Sequence, residues 1–421
     1  MKKIDLFFIN NENVVNPLLE ITEHNNKIII YIKNFSNYDL NLQINKINNI
    51  INIYNKIQRI NIIFDKKIPI KKVNIILTKL SDVLYKYKSL IQEFKLYLVK
   101  KESITLMNEL TIYKNIVMDP NKDPDTYLEF IKSKVPLKYN IEVTKLSNNQ
   151  IFPLTYNIGL GSNYNSYFVY IKPKNSNPIK KDVFLVGKAV TFDAGGLNIK
   201  LTNLEEMKID MTGSAIILSV LRILCENNLD SNINLHLLIP IVENMISSKS
   251  LKPGSIIETM GKKTVEVVNT DAEGRLCIVD CIDWINLHLI KDPSNSIILD
   301  IATLTGNTQH ITSGISSIIM SNDLGENYVN TLINIGEETG EYLDYLKIRK
   351  EYLEMLKTPI ADIKNINLEE KAGCVIGGTF IYYFTNPHIP WIHIDLGVTT
   401  FINSFVISYG INLVYEFLKQ L

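Results

Sequence analysis

Four carboxylates in this sequence stand where predicted strands or loops pass into helices, in surroundings that are otherwise apolar or rich in glycine. They are Asp193, Asp210, Asp271 and Glu273. A buried carboxylate is costly unless a cation balances its charge, so a cluster of this kind predicts bound cations. Two divalent ions would balance the cluster, provided that the nearby Lys188 is neutral, as an amine ligand would be.

The ligand types also limit the choice of metal. An oxygen-rich cluster without histidine or cysteine suits Mn²⁺, Mg²⁺ or Zn²⁺, and the residues alone do not choose among them. Two such ions can bridge a water molecule, lower its pKa and polarise a carbonyl group. The six histidines form no HxxxH or HxH pair, so a zinc site built from histidine is not expected.

Each charged residue also has a purely structural interpretation. The Thr-x-x-Glu spacing that ends at Glu273 matches a helix capping box, and Asp193 with the glycines that follow could form a turn. Asp210 could cap a helix, while Lys200 and Arg275 taken singly could be surface residues. Their occurrence in order within one region favours a common site.

The elements that must position these residues are predicted strands with almost continuously apolar sequences. Such runs occur at 183–186, 235–242, 297–301 and 392–396. Continuous apolar strands separated by helices predict a mostly parallel central sheet flanked by helices, beyond whose carboxyl strand ends ligands bind. We therefore expect an α/β protein whose larger catalytic domain spans residues 116–421.

Residues 1–115 predict a small N-terminal α/β domain without a chemical motif. Val73 to Ile91 has helical spacing, and four short apolar runs are typical of strands: 6–9, 28–32, 60–64 and 94–99. Two prolines with polar neighbours predict a connection at about 116–126, followed by a helix from Thr126 to Lys134.

Composition limits the partners. Lys plus Arg and Asp plus Glu both number 44, and the resulting net charge of zero does not support general attraction to nucleic acid or anionic membranes. Neither a membrane span nor a targeting segment is expected, because Asp5 interrupts the apolar start and no long uncharged apolar run follows. The four cysteines form no CxxC pair, which favours buried free thiols in a cytoplasmic protein.

Taken together, these segments resemble the leucyl aminopeptidase family of metallopeptidases, M17, also called cytosol aminopeptidases. Asn269–Leu276, NTDAEGRL, is similar to the signature octapeptide of that family, and Gly187–Lys200 and Asp300–Gly306 resemble two further motifs. The resemblance covers roughly residues 115–421. It implies a metal-dependent aminopeptidase, a hydrolase that removes Leu-like amino-terminal residues from short peptides.

The resemblance also implies a set of metal ligands. Lys188, Asp193, Asp210 and Glu273 would hold the tighter of two divalent ions, and Asp193, Asp271 and Glu273 the more exchangeable one. The ions would be Zn²⁺ or Mn²⁺, with Mg²⁺ or Co²⁺ as alternatives.

Further roles follow from the same resemblance. Lys200 would act as an electrophile on the scissile carbonyl, and Arg275 would hold a bicarbonate ion that serves as general base. The side-chain pocket for the first residue of the peptide would be lined by Met207, Thr303, Leu304 and Gly306. The assembly would be a cytoplasmic homohexamer.

Two other functional classes stay open at this point. A two-metal phosphohydrolase also uses carboxylate clusters, but its phosphate would require more basic residues or a glycine-rich cradle, and the sequence has no Walker A motif. Some bacterial members of the resembled family bind DNA as well, whereas the zero net charge and the lack of a basic stripe predict no nucleic-acid partner.

Overall fold

The structure is a computed structural model, and it describes residues 2–9, 19–24, 27–33, 37–53, 57–65, 68–97, 99–148, 150–367, 369, 372–402 and 404–421. The chain forms two compact units. The first unit runs to Lys114 and includes Glu337–Gly340, and the second comprises Asn115–Gly336 and Glu341–Leu421. Both are built from helices and sheets, which confirms the predicted α/β class.

The first unit has a five-stranded sheet in the order β2-β3-β1-β4-β5, parallel except for the β2–β3 pair. Its strands are β1 Lys2–Ile9, β2 Leu19–His24, β3 Lys27–Lys33, β4 Ile57–Phe64 and β5 Ile91–Tyr97. The accompanying helices are α1 Asn37–Asn52, α2 Ile70–Lys86 and α3 Lys101–Val117, the last of which runs past Lys114. All four predicted strands are present, with Leu98 outside the described residues.

The helix predicted from Val73 to Ile91 is α2, and its boundaries differ from the prediction. It begins earlier, directly after Pro69, whose ring fixes a backbone angle compatible with a helix start. It ends earlier because four residues turn the chain into β5 at Ile91. Ile91, the last residue of the predicted helix, therefore belongs to a strand, and Leu90 belongs to the turn before it.

The second unit contains the remaining strands. They are β6 Tyr139–Leu146, β7 Ser166–Pro173, β8 Lys181–Gly187, β9 Ala189–Asp193, β10 Ile233–Asn244, β11 Ser255–Glu258, β12 Thr264–Val267, β13 Ser296–Ala302, β14 Ser317–Ser321, β15 Leu343–Tyr345, β16 Ile363–Lys364, β17 Trp391–Asp395, β18 Phe401–Ile402 and β19 Phe405–Val406. The main sheet has the order β15-β14-β17-β13-β8-β10-β7-β6, with β9 paired to β10.

The centre of this sheet is parallel, as predicted. Strands β17, β13, β8 and β10 run parallel to one another, whereas β7, β6 and β14 add antiparallel pairs toward the edges. The four predicted apolar runs are these central strands, and nearly every residue in them is buried. Two small sheets, β11-β12-β16 and β18-β19, complete the unit.

Helices surround the main sheet. They are α4 Pro124–Lys134, α5 Pro153–Gly159, α6 Thr212–Glu226, α7 Glu273–Trp284, α8 Thr308–Thr312, α9 Glu326–Thr339, α10 Lys350–Glu354, α11 Gly373–Tyr382 and α12 Ile411–Leu418. Helix α4 begins two residues before the predicted Thr126, because Asp123 caps it and Pro124 occupies its first turn. Among the residues that the structure describes, no helix combines the length and apolar composition needed to cross a bilayer.

Candidate active site

The predicted site residues come from loops and helix starts that meet at one edge of the main sheet. Lys188 lies between β8 and β9, and Asp193 is the last residue of β9. Asp210 follows a short 3₁₀ helix at Leu204–Ile209, and Glu273 opens α7. The carboxyl ends of parallel strands therefore gather the charges, as expected for such sheets.

Lys188 is buried within a group of carboxylates. Its Nζ donates to Asp210 Oδ1 at 2.7 Å and lies 2.8 Å from Glu273 Oε1. Burial alone lowers the pKa of this ammonium group, but the charges of Asp210, Glu273 and Asp193 outweigh burial and raise the pKa above its usual value. These side chains by themselves therefore favour a charged Lys188. The charge balance in the sequence analysis assumes a neutral Lys188 amine, and that state requires bound cations in place of its proton.

Lys200 occupies the second half of the cluster. Its Nζ is 2.8 Å from Asp193 Oδ2 and 2.5 Å from Asp271 Oδ1. Burial, together with the charges of Asp193 and Glu273, raises the pKa of Asp271 to about 7. Lys200 is therefore held by two carboxylates and is not the solvated surface residue of the structural alternative.

The cluster fits divalent cations. One carboxylate oxygen from each of Asp193, Asp210 and Glu273 lies within 4.8 Å of the others. Glu273 Oε2 is buried and has no hydrogen-bond partner among the described residues. Because these three carboxylates and Asp271 face only two ammonium groups, the site carries excess negative charge that metal ions would neutralise.

A buried amide orients the carboxylate at the end of β9. Asn244 Nδ2 donates to Asp193 Oδ1 at 2.8 Å and to the Thr270 carbonyl oxygen at 3.0 Å. The Gly195 N–H donates to the same Asp193 oxygen at 2.9 Å, which leaves Oδ2 facing the cluster. Asn244 is absent from the predicted site residues. It is the last residue of β10 and lies two positions after the predicted apolar run 235–242, and that position is the signal that could have identified it.

The glycines after Asp193 form a tight turn. Gly195 and Gly196 have φ values of 87° and 61°, in the left-handed region that favours glycine. A Cβ at Gly195 would lie 2.4 Å from the Asn198 carbonyl oxygen and 2.8 Å from Asp271 Oδ1. The turn that Asp193 and the following glycines were predicted to form is therefore present. It also brings the backbone close to the Asp271 carboxylate.

The other two structural alternatives are wrong. Helix α7 begins with Ala272 at its N-cap and without a capping side chain, so no capping box forms. The Thr270 hydroxyl instead donates to the Gly195 carbonyl oxygen at 2.7 Å, which ties the two loops of the site together. Met211, rather than Asp210, is the N-cap of α6.

Arg275 is buried close to the cluster. Its Nη1 donates to the Asn365 carbonyl oxygen at 2.7 Å, whereas its Nε has no hydrogen-bond partner among the described residues. Burial lowers the pKa of this guanidinium group to about 10, although Glu273 and Asp395 act in the opposite direction. A buried cation with an unused donor fits a small anion.

A cavity of about 420 Å³ opens onto the cluster. The predicted residues on its lining are Lys188, Asp193, Lys200, Met207, Asp210, Asp271, Glu273, Thr303, Leu304 and Gly306. Arg275 is the one predicted residue outside that lining. Thr303 joins the pocket to the cluster, because its hydroxyl donates to Asp210 Oδ1 and its carbonyl oxygen accepts from Lys188 Nζ, at 2.8 and 2.9 Å.

These features define an α/β protein with a carboxylate-rich, cation-binding type of site at the strand ends of its sheet. The catalytic-domain profile of the cytosol aminopeptidase family matches residues 111–408. The chain belongs to that family.

Individual relatives agree with this assignment. A probable cytosol aminopeptidase of Protochlamydia amoebophila is 36% identical over 272 residues, which cover 63% of this chain and 53% of the relative. That of Blochmanniella floridana is 29% identical over 427 residues, covering 98% and 79%. The match thus spans about half the length of the first relative and about four fifths of the second.

Solved structures share the fold. The leucine aminopeptidase of Caenorhabditis elegans superposes with a TM-score of 0.85 at 20% identity, over 100% of this chain and 95% of that one. The bottromycin maturation enzyme BotP, in complex with Mn, gives a TM-score of 0.82 at 17% identity, with 99% of both chains covered.

Proposed function

We propose that the protein is a metal-dependent aminopeptidase that hydrolyses the first peptide bond of short peptides with a Leu-like amino-terminal residue. The observation that carries this proposal is the excess of buried carboxylates at the cavity, where the Glu273 Oε2 atom has no hydrogen-bond partner in the described part of the chain. Membership in the cytosol aminopeptidase family supports the choice of reaction.

In this proposal two divalent cations are held by five side chains. Lys188, Asp193, Asp210 and Glu273 hold one ion, and Asp193, Glu273 and Asp271 hold the other. Zn²⁺ and Mn²⁺ are the first candidates, and Mg²⁺ and Co²⁺ are the alternatives. When bound, such ions supply Lewis acidity and lower the pKa of water.

Lys200 is the proposed electrophile. Its Nζ contacts both Asp193 and Asp271 at the cavity, so an ammonium group already stands beside the ligands. Once cations neutralise those carboxylates, Lys200 becomes available to donate a hydrogen bond to the scissile carbonyl oxygen. Its positive charge then stabilises the negative charge that develops on that oxygen.

Arg275 is the proposed holder of bicarbonate, the general base of the reaction. Its buried guanidinium group has an unused Nε donor, and α7 begins two residues before it, so the helix start adds positive potential. A base bound there would accept a proton from the attacking water, so the reaction would need no histidine, and none is among the described residues that line the cavity.

The function is tested by release of leucine from an amino-terminal Leu amide. Metal-stripped protein is assayed after separate addition of Mn²⁺, Zn²⁺, Co²⁺ and Mg²⁺, with and without bicarbonate. We expect activity that requires a metal and a free α-amino group, because the acetylated substrate cannot bind through its amine. Folded protein that cleaves no Leu, Met or Ala amide with any metal would reject the proposal.

A pair of variants links that activity to the cluster. Glu273→Gln should abolish cleavage and reduce bound metal, since a bridging carboxylate is lost. Glu205→Gln is the matched control, because Glu205 is exposed on the 3₁₀ helix that precedes Asp210 and is not on the cavity lining. Full metal occupancy in Glu273→Gln would contradict the bridging role.

We further propose that the enzyme acts as a homohexamer in the cytoplasm, without nucleic-acid or membrane partners. Family membership supports this assembly. Light scattering of the purified full chain should give six times the mass of one chain, 48.1 kDa. A monomeric mass for active protein would contradict it.

A further inference from the structure

A further buried carboxylate, outside the metal-binding cluster, bonds to the segments that line the cavity. Asp395 is the last residue of β17 and is fully buried. Its strand pairs with β13 so that Asp395 stands beside Ala302, immediately before the segment that lines the cavity. No described Lys, Arg or His side chain forms an ion pair with it within 4.0 Å.

Five donors converge on this one carboxylate. Asp395 Oδ1 accepts from the backbone N–H groups of Leu304, Thr305 and Gly397, at 3.1, 3.2 and 3.0 Å. Its Oδ2 accepts from the Thr305 hydroxyl at 2.6 Å and from the Cys374 thiol at 3.5 Å. A charged acceptor makes stronger hydrogen bonds than a neutral one, especially away from water.

The segments held by Asp395 form the walls of the cavity. Leu304, Thr305 and Gly306 line it from one side, and Gly397 and Val398 line it from another. The two wall segments are almost a hundred positions apart in the sequence. Both bond to the Asp395 carboxylate, which therefore joins them.

The same wall segment is fixed at its other end by the metal-binding cluster. Thr303 bonds to Asp210 and Lys188, and the next two residues bond to Asp395. Two anchors that lie within three consecutive residues, 303–305, therefore set the distance between the cluster and the pocket wall. Loss of the Asp395 anchor would free the wall while the anchor at the cluster remained.

We propose that Asp395 is a positioning residue that sets the shape of the side-chain pocket and hence the preference for the first residue of the peptide. This inference rests on the proposed aminopeptidase function. Asp395 touches no reacting atom; it acts through the Leu304–Gly306 and Gly397–Val398 walls. A displaced wall costs a large apolar side chain more binding energy than a small one, because only the large one fills the pocket.

The kinetic test uses Asp395→Asn, which retains one acceptor oxygen but reverses the polarity at the other position. We expect kcat/KM for a Leu amide to fall about 10- to 100-fold, mainly through KM, and that for an Ala amide to fall much less. Bound metal should stay at the wild-type level. An unchanged Leu-to-Ala ratio, or a loss of metal, would overturn the proposal.

Asp300→Asn is the matched control. Asp300 is also fully buried and lies on the neighbouring strand, but its partners are Trp391 Nε1 and His393 rather than the pocket walls. A purely structural effect of removing a buried charge would lower stability in both variants and leave the Leu-to-Ala ratio unchanged in both.

Hydrogen exchange separates this inference from the proposed function. In Asp395→Asn, the amides of Leu304, Thr305 and Gly397 should exchange faster than in the wild type, whereas Asp300→Asn should leave them protected. This result is expected even if no amide substrate is cleaved. Unchanged protection in both variants would overturn the positioning role directly, whatever the activity.

Discussion

Each of the two units buries a lysine beside carboxylates, and the two lysines differ in the balance of charge around them. In the first unit, Lys114 Nζ lies 2.8 Å from Asp82 and donates to the Ser81 hydroxyl. Burial lowers the pKa of Lys114, and Asp82 compensates only in part. In the second unit, several carboxylates around Lys188 outweigh burial and raise its pKa. Lys114 pairs with the single carboxylate of Asp82, whereas the carboxylates around Lys188 outnumber the ammonium groups that they face.

The difference shows what separates a structural ion pair from a cation site. Both lysines are almost inaccessible, with side chains 1% and 3% exposed, so burial by itself does not distinguish them. The distinguishing features are the number of carboxylates per ammonium group and the unpartnered Glu273 oxygen. Matched substitutions of the lysines provide direct tests of this interpretation.

The largest effect is expected for Lys188→Met. Asp210 and Glu273 would lose both an ammonium partner and, with metal bound, a ligand. We expect kcat/KM for a Leu amide to fall about a thousandfold or more, with loss of the tighter metal ion. Elemental analysis after dialysis measures the metal. Two ions per chain and normal turnover would remove Lys188 from the ligand set.

A smaller effect on metal is expected for Lys200→Met. Turnover should fall about 100- to 1,000-fold, because the electrophile that stabilises the oxyanion is missing. Metal content should stay near the wild-type value, since Lys200 is not a proposed ligand. If turnover is unchanged while the metal is retained, Lys200 has no electrophilic role.

Asn244→Ala tests whether the orientation of Asp193 matters. The variant removes the bonds to the Asp193 carboxylate and to the Thr270 carbonyl oxygen. We expect metal affinity to weaken about 10- to 100-fold, which a competition titration with a chelating dye measures. An affinity equal to that of the wild type would show that the Gly195 N–H alone suffices.

The smallest functional effect is expected for Lys114→Met. Metal content and turnover should be unchanged, whereas the free energy of unfolding should fall by about 1–3 kcal/mol because Asp82 loses its buried partner. Denaturant titration measures the stability. A loss of metal in this variant would break the distinction between the two lysines.

The sequence predicts the centre of the second unit well for a physical reason. Strands buried on both faces need almost continuously apolar residues, and short runs such as 183–186 and 297–301 are typical of such strands. Charged residues placed just after such runs must lie at the strand ends. Lys188, two residues after the run 183–186, was therefore placed correctly at the end of β8, whereas Asp193 ends β9, a strand that was not predicted.

The parts that escaped prediction depend on contacts between distant segments. Asn244 and Asp395 are polar residues of ordinary type, and their roles arise from partners at Thr270 and at Leu304 that local spacing does not reveal. The Thr-x-x-Glu spacing predicts a capping box, but none forms, because the Thr270 hydroxyl donates to the Gly195 carbonyl oxygen in the glycine turn. In α2, apolar periodicity continued into a strand and gave a helix that was too long.

The glycine turn after Asp193 also limits how this chain can change over generations. At Gly195 a side chain would meet a backbone oxygen and the Asp271 carboxylate, and at Gly196 it would approach Asn244 Oδ1 to 2.9 Å. A substitution at either glycine would therefore disturb a proposed metal ligand or the amide that orients one, as well as the loop itself. The residues that these two positions can accept are therefore limited by the neighbouring site as well as by the backbone of the turn.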